Sequence, residues 1–273
     1  MNSVIFYFSQ VITGNTKKIA EKIGEGLRYN NNSCDLILLR KMKKDIEMIK
    51  SFNFDDYDLI GIGVPVYYFH PPYSVYLTLK EFPILKNKKG FLFCTSGGNP
   101  GSTLFQIKKV LDKKGLKIID GYDRWRGWDV HQMYRNFGGY LPASKGHPTP
   151  EELEEAKKFG IKLIEKANDP NVPEKTDFWT KENASSKMWT YEYMQIWFPK
   201  LPGKFYEDRC TQCGRCAEIC PMDKIILSPY PKFLDIPCNR CYICELICPE
   251  KAIECDWDKQ ISYLENLMKK KNK

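Results

Sequence analysis

The chain has 273 residues, enough for one α/β domain and a smaller second one, each with its own core. Its 42 Lys and Arg against 34 Asp and Glu give a formal net charge of +8, too mild and too dispersed to point to nucleic acid. No stretch approaches the ~20 apolar residues that span a bilayer, and the opening "MNSVIFYFSQ" lacks the basic and apolar regions of a secretory signal.

The first part of the chain alternates apolar strands with amphipathic helices, the pattern of a doubly wound parallel sheet. "SVIFYF" reads as a first buried strand, and Ile19, Ile23 and Leu27 share one face of the helix that follows. "DLILL", "YDLIGIGVP", "GFLFCTS" and "LKIIDGY" are four further strands. A long connection runs from Arg124 to Pro148, and a helix closes the unit with Thr149 as N-cap and Pro150 at its first position. These elements delimit a first domain over 1–168. A linker carrying the aromatic stretch "SSKMWTYEYMQIWF" occupies 169–203, and a small cysteine-rich domain spans 204–273.

Between the first strand and first helix stand Ser9, Thr13, Gly14, Asn15 and Thr16, whose hydroxyls and backbone N–H groups can cradle a phosphate at a helix N-terminus. No Walker lysine and no G-x-G-x-x-G is present, so a nucleoside triphosphate or NAD fits less well. Two more loops fall at strand carboxyl ends, where doubly wound sheets bind ligands: "PVYYFHPP" and "TSGGNPGS". With these motifs the N-terminal unit resembles flavodoxin-like domains of strand order 2-1-3-4-5. The resemblance implies FMN, with Thr13 to Thr16 on the phosphate. Pro65, Val66, Tyr67, Tyr68 and Phe69 would flank one side of the flavin; Thr95, Ser96, Gly97, Gly98 and Asn99 would flank the other. Either Tyr67 or Tyr68 stacks on the ring, unless both are strand-end core. Gln10, Val11 and Ile12 stand where that family has a shorter or more hydroxyl-rich turn.

Of the 11 cysteines, eight fall in "CTQCGRCAEICP" from Cys210 and "CNRCYICELICP" from Cys238, the same phrase repeated at an offset of 28 residues. In a cytoplasmic protein, the expected location here, thiols stay reduced and clustered cysteines mean metal. Structural zinc prefers two separated C-x-x-C pairs, whereas each run here carries a third Cys, a fourth and a proline. Residues 205–255 resemble bacterial two-cluster ferredoxins, with Pro221 and Pro249 at the family's positions. In that family the last Cys of each run ligates the other cluster. The resemblance therefore implies two 4Fe-4S clusters, one on Cys210, Cys213, Cys216 and Cys248, the other on Cys238, Cys241, Cys244 and Cys220. Cys34 and Cys94 sit on strands as small core residues, and Cys255 lies outside the pattern.

As a whole the chain resembles a flavodoxin–ferredoxin fusion of anaerobes, the ferrodoxin family. One function that this implies is an electron carrier between redox partner proteins, in which the cofactors do the chemistry. A second is an FMN-dependent reductase of a small-molecule acceptor. The long connection motivates it, since Trp125, Arg126, Trp128, His131 and Tyr134 would form walls and donors over the flavin. The same aromatics could instead cover the flavin or dock the ferredoxin unit. A redox sensor is a third reading, without any DNA-binding or signalling motif to carry it. The loops "PVYYFHPP" and "TSGGNPGS" hold no acid, and Arg124, Arg126, His131 and Arg135 could add positive charge above them. That would ease reduction of the flavin to an anion and run electrons from clusters to FMN.

Overall fold

The computed structural model describes residues 1–178 and 191–271. Five strands form its central sheet: β1 (Asn2–Phe8), β2 (Ser33–Leu39), β3 (Leu59–Pro65), β4 (Lys89–Ser96) and β5 (Lys117–Arg126). All neighbours are parallel and the order is β2-β1-β3-β4-β5, as the resemblance implies. The middle strand β3 is buried along its whole length, which is why it reads as a continuous apolar run.

Helices cover both faces. On one side α2 (Met42–Ser51), α3 (Tyr73–Lys80) and α4 (Thr103–Asp112) contribute Ile49, Leu79 and Ile107 to a core centred on Phe6, Ile62 and Leu92. On the other, α1 (Asn15–Leu27) and α5 (Pro150–Asn168) pack Ile19, Ile23, Ala156 and Leu163 against Ile5, Phe91 and Phe93. Thr149 and Glu152 form a reciprocal capping box at the start of α5. Where α1 and α5 cross, a Cβ at Gly26 would lie 2.1 Å from Lys157 O, and one at Gly160 2.3 Å from Ile23 O. The helices are backbone to backbone there, and only glycine fits.

The expected linker starts as a strap on the sheet. Lys175 N donates to Ile118 O (2.7 Å), and Val172 and Phe178 are buried in the two cores. Of the expected aromatic helix, α6 (Tyr191–Trp197) is helical; the residues before Tyr191 lie outside the described ones.

The C-terminal unit is built from short pieces: β6 (Lys204–Phe205), α7 (Arg215–Ile219), β7 (Ile225–Leu227), β8 (Pro231–Phe233), α8 (Ile243–Leu246), β9 (Ile253–Glu254) and α9 (Asp258–Lys271). β6 pairs with β9 and β7 with β8, both antiparallel. Ile225 and Ile253, equivalent across the 28-residue repeat, share one small core with Cys216 and Cys244. No helix among the described residues is long and apolar enough to cross a membrane.

The α1–α5 contact holds the helix whose N-terminus carries the Thr13–Thr16 loop. Gly26→Ala should cost about 1–3 kcal/mol, because a backbone oxygen cannot rotate away from the new methyl. A lower urea midpoint of the sheet unit checks this; an unchanged midpoint would show that the helices separate freely.

Candidate flavin crevice and metal centres

The loop after β1 folds on its own polar groups. Gly14 takes a left-handed turn (φ 63°) just before α1, and its N–H donates to Gln10 O at 2.9 Å. Ser9 Oγ accepts from Lys17 N (3.1 Å), and the Thr16 and Thr95 hydroxyls meet at 2.8 Å, joining this loop to the end of β4. Asn15 Nδ2 donates to Thr13 Oγ1 (3.0 Å) and to Trp128 O (3.1 Å). The loops after β3 and β4 also meet. Val66 N donates to Thr95 O, and a Cβ at Gly101 would fall 2.3 Å from that of Phe69. Tyr68 and Phe69 both hold positive φ (52° and 70°), so the loop turns back sharply above β3.

Three observations fit an FMN between these loops. The buried Asn15 Oδ1 and Tyr67 OH have no hydrogen-bond partner, in a fold where such atoms are costly. Gly14 and Gly98 face open space where a side chain would stand. The first turn of α1 carries no acid against a phosphate. Tyr68 is engaged elsewhere: its ring packs on Phe198 at 3.8 Å and its OH donates to Arg240 O at 3.1 Å.

The long connection departs from the expected flavin wall. β5 runs on to Arg126, and Trp125 is fully buried under α5, its Nε1 donating to Glu155 at 3.0 Å. It is a core residue, and the connection begins only after it. Arg126 donates to Ala143 O, and Arg135 pairs with Asp258 of α9 at 2.6 Å. His131 stands edge-on to Trp257 and Tyr242 (4.5 and 5.3 Å between centroids), so it packs against the C-terminal unit. Tyr134 is buried and donates to Asp129 (2.9 Å). Of the five candidates Arg126 and Trp128 keep sizeable exposure, Trp128 beside Tyr140. The acid-free surroundings also need correction. Asp129 Oδ2 lies 3.0 Å from where a Gly97 Cβ would be, and burial raises its carboxyl above the usual range. Nothing in "GWDVHQ" marks this aspartate in advance.

The eight cysteines of the repeat line two separate cavities. One is bordered by Cys220, Cys238, Cys241 and Cys244. The other is bordered by Cys210, Cys213, Cys216 and Cys248. Among the described residues no three His, Cys, Asp or Glu converge on a single-ion position. Four sulfurs spread around a cavity suit a four-iron cube better than one tetrahedral ion. The backbone repeats with the sequence. Gln212 N and Arg240 N donate to the sulfurs two residues back (3.4 and 3.3 Å), Lys224 N and Ala252 N to those four back (3.4 and 3.2 Å). Burial raises the Cys238, Cys241 and Cys244 thiols, so bare thiolates are disfavoured there.

The Cys238 cavity abuts the sheet unit. Asn239 Oδ1 accepts from Ser74 N and its Nδ2 donates to Ser74 Oγ, both at 2.8 Å and buried. Met42 N donates to Pro221 O (2.9 Å), while Lys41 bonds Ala217 O and pairs with Asp223, each at 2.9 Å. Tyr67 lies close enough to Cys241 and Asp129 that both, after burial, push its phenol up.

His131 gives this interface a pH dependence. Burial pushes its imidazole down to about 3. Below pH 6.5 the unfolded chain takes up a proton that the folded one refuses. Stability therefore falls by about 1.4 kcal/mol per pH unit as pH drops from 6.5 towards 3. Urea midpoints at pH 7 and pH 5 should show this slope, and His131→Gln should remove it. A slope that survives the substitution would put the acid sensitivity elsewhere.

Family models match the chain in two places: a flavodoxin domain over residues 4–137 and a 4Fe-4S binding domain over 204–223. Among solved structures, a flavodoxin from the domain Archaea is 22% identical, covering 62% of this chain and 100% of its own, with a TM-score of 0.40. Rubredoxin oxygen:oxidoreductase from Desulfovibrio gigas is 19% identical (61% of this chain, 36% of its own, TM-score 0.45). The flavodiiron protein from Giardia intestinalis is 16% identical, with the same coverages and a TM-score of 0.43. No curated protein matches the chain. With a flavodoxin domain before a 4Fe-4S binding domain on one polypeptide, the chain is a flavodoxin–ferredoxin fusion, an iron–sulfur flavoprotein of electron transfer.

Proposed function

We propose that the chain is a cytoplasmic carrier of anaerobic metabolism that passes electrons from two 4Fe-4S clusters to FMN, serving redox partner proteins. Cys210, Cys213, Cys216 and Cys248 hold one cluster and Cys238, Cys241, Cys244 and Cys220 the other. Each cavity groups three cysteines of one run with the fourth of the other, which supports this crossed ligation. Ser9, Thr13, Gly14, Asn15 and Thr16 hold the phosphate of FMN. The 65–69 and 95–99 loops flank its ring, with Tyr67 rather than Tyr68 beside it. Bound there, FMN supplies the exchange between one-electron and two-electron steps.

The observation that carries the reading is the contact between the Cys238 cavity and the flavin-flanking loop. Asn239 and Arg240, between two cluster cysteines, bond Ser74 and Tyr68 directly. Such a contact shortens the path between the two cofactors. The direction towards FMN rests on two loops without acids and on an Asp129 whose burial favours its neutral form. The reductase reading is weaker, because Trp125, His131 and Tyr134 are spent on packing rather than on a substrate wall. The first unit runs past 168 to include the 172–178 strap, and the second begins near 204.

Protein reconstituted without oxygen should bind about eight irons and one FMN. Cys248→Ser should remove the cluster on Cys210, Cys213 and Cys216 and spare the one nearer in sequence, as read by EPR. Loss of only the neighbouring cluster would refute the crossed ligation. In an anaerobic titration the flavin should reduce before either cluster; clusters reducing first would reverse the direction.

A further inference from the structure

The repeat lets each cluster site serve as a control for the other. Gln212 and Arg240 are equivalent at the offset of 28 and share left-handed backbone (φ 57° and 53°). Each donates its N–H to the sulfur two residues back. Their side chains differ: Gln212 is neutral and exposed, whereas Arg240 is charged and only 6% exposed. Its guanidinium is held by neutral acceptors alone, Gln195 Oε1 (2.9 Å), Pro199 O (2.6 Å) and Gln195 O (3.1 Å), and makes no ion pair among the described residues.

The second pair of equivalents differs in the same sense. Lys224 follows Cys220 and donates its N–H to that sulfur; its counterpart is Ala252, after Cys248. The Lys224 ammonium is half-buried and bonds Leu234 O (2.5 Å) and Ile236 O (2.6 Å), again neutral groups. Because the fourth ligands cross over, both cations stand on residues whose N–H groups reach sulfurs of the Cys238 cavity, Arg240 on Cys238 and Lys224 on Cys220. Of the acids in that half, Asp223 is neutralised by Lys41 at 2.9 Å, Asp235 is exposed, and the buried Glu245, its carboxyl raised by burial, is turned to Cys255 N and Trp257 Nε1. Around the Cys210 cavity, Glu207, Asp208, Arg209, Arg215, Glu250 and Lys251 are all exposed, mixed in sign and screened by water.

A cluster becomes more negative by one charge on reduction, so a nearby buried cation favours its reduced state. We propose that Arg240 and Lys224 hold the cluster beside the flavin at a higher reduction potential than the outer one, making the Cys210 cluster the site where electrons enter. Cys213 is exposed there, while Asn239, Pro221 and Tyr68 seal the inner site against the sheet unit. A low-potential one-electron donor protein supplies the electron. One electron then leaves the outer cluster and reduces the inner one by one; no bond or proton moves. This inference rests on the two-cluster reading above.

The test is an EPR-monitored potentiometric titration of the full chain, carrying both clusters and FMN, with the signals assigned through Cys248→Ser. The inner cluster should reduce at the higher potential. Lys224→Ala and Arg240→Gln each copy the opposite repeat. Each should shift the exchange equilibrium between the clusters roughly tenfold towards the outer one, about 59 mV for one electron. Arg240→Lys should retain the gap. Gln212→Arg places its charge on an exposed side chain, screened by water like its neighbours, and should leave the gap nearly unchanged. A chain that binds only four irons overturns the two-cluster reading and this inference with it. Eight irons with equal or inverted potentials, or a gap untouched by Lys224→Ala and Arg240→Gln, overturn the inference alone.

Discussion

The two hydrogen bonds between Asn239 and Ser74 are the joint on which the arrangement depends. Helix α3 begins at Tyr73 with Pro72 before it and no side-chain cap of its own. Asn239, 165 residues away, supplies the missing acceptor to Ser74 N and binds the Ser74 hydroxyl as well. A buried N–H left unmet costs about 1–3 kcal/mol, so separating the units exposes or orphans the start of α3. The loop from Pro65 to Pro72 leads straight into that helix. The loop after β3 and the Cys238 segment are therefore held to each other at this joint.

A second clamp grips the other strand of the same cavity. Lys41 and Met42, at the turn from β2 into α2, hold Ala217, Pro221 and Asp223 around Cys220. The two clamps thus reach both segments that line the inner cavity, while neither clamp touches the lining residues of the Cys210 cavity. The long connection supplies a third support, through His131 against Trp257 and Tyr242, Arg135 to Asp258 and Asn136 to Glu265. Its aromatics form a strut between units, and Glu245 stiffens the far side by accepting from Trp257 Nε1 and Cys255 N. The two units are then joined by packing, with the chain's polar groups fixing one orientation.

What was legible in the sequence is what repeats over short distances. Apolar runs bounded by glycine and asparagine mark the strands, Thr149 with Glu152 announces its own cap, and the cysteine phrase declares itself by doubling. What was hidden depends on partners far apart in the chain. Trp125 reads as part of a loop because β5 pairs irregularly with β4, with register shifts beside Phe91 and Thr95, so its alternation is broken where it matters. His131 looks like a titratable donor, and only the fold shows it enclosed by aromatics from a segment more than a hundred residues later. Asp129 and Asn239 carry no local signature at all, since each acquires its role from a glycine or serine on another element.

The repeat also separates what a cluster demands from what a neighbour demands. Left-handed backbone recurs at Gln212 and Arg240, at Gly214 and Tyr242, and at Asp223 and Lys251. Each pair is 28 residues apart, so the loop path is common to both cavities and independent of side chain. For a residue with a Cβ that conformation costs about 1–2 kcal/mol, and glycine avoids the cost. The outer run uses glycine at 214. The inner run uses tyrosine at the same place, fully buried, its OH donating to Pro199 O at 2.6 Å and its ring set edge-on to Trp257 and His131. Burying an aromatic ring and satisfying its hydroxyl contribute more than the backbone strain removes. The two halves therefore keep one backbone and part in their side chains, and Asn239, Arg240 and Tyr242 of the inner half reach Ser74, Gln195 and His131 outside it. The asymmetry of the pair is imposed from outside it.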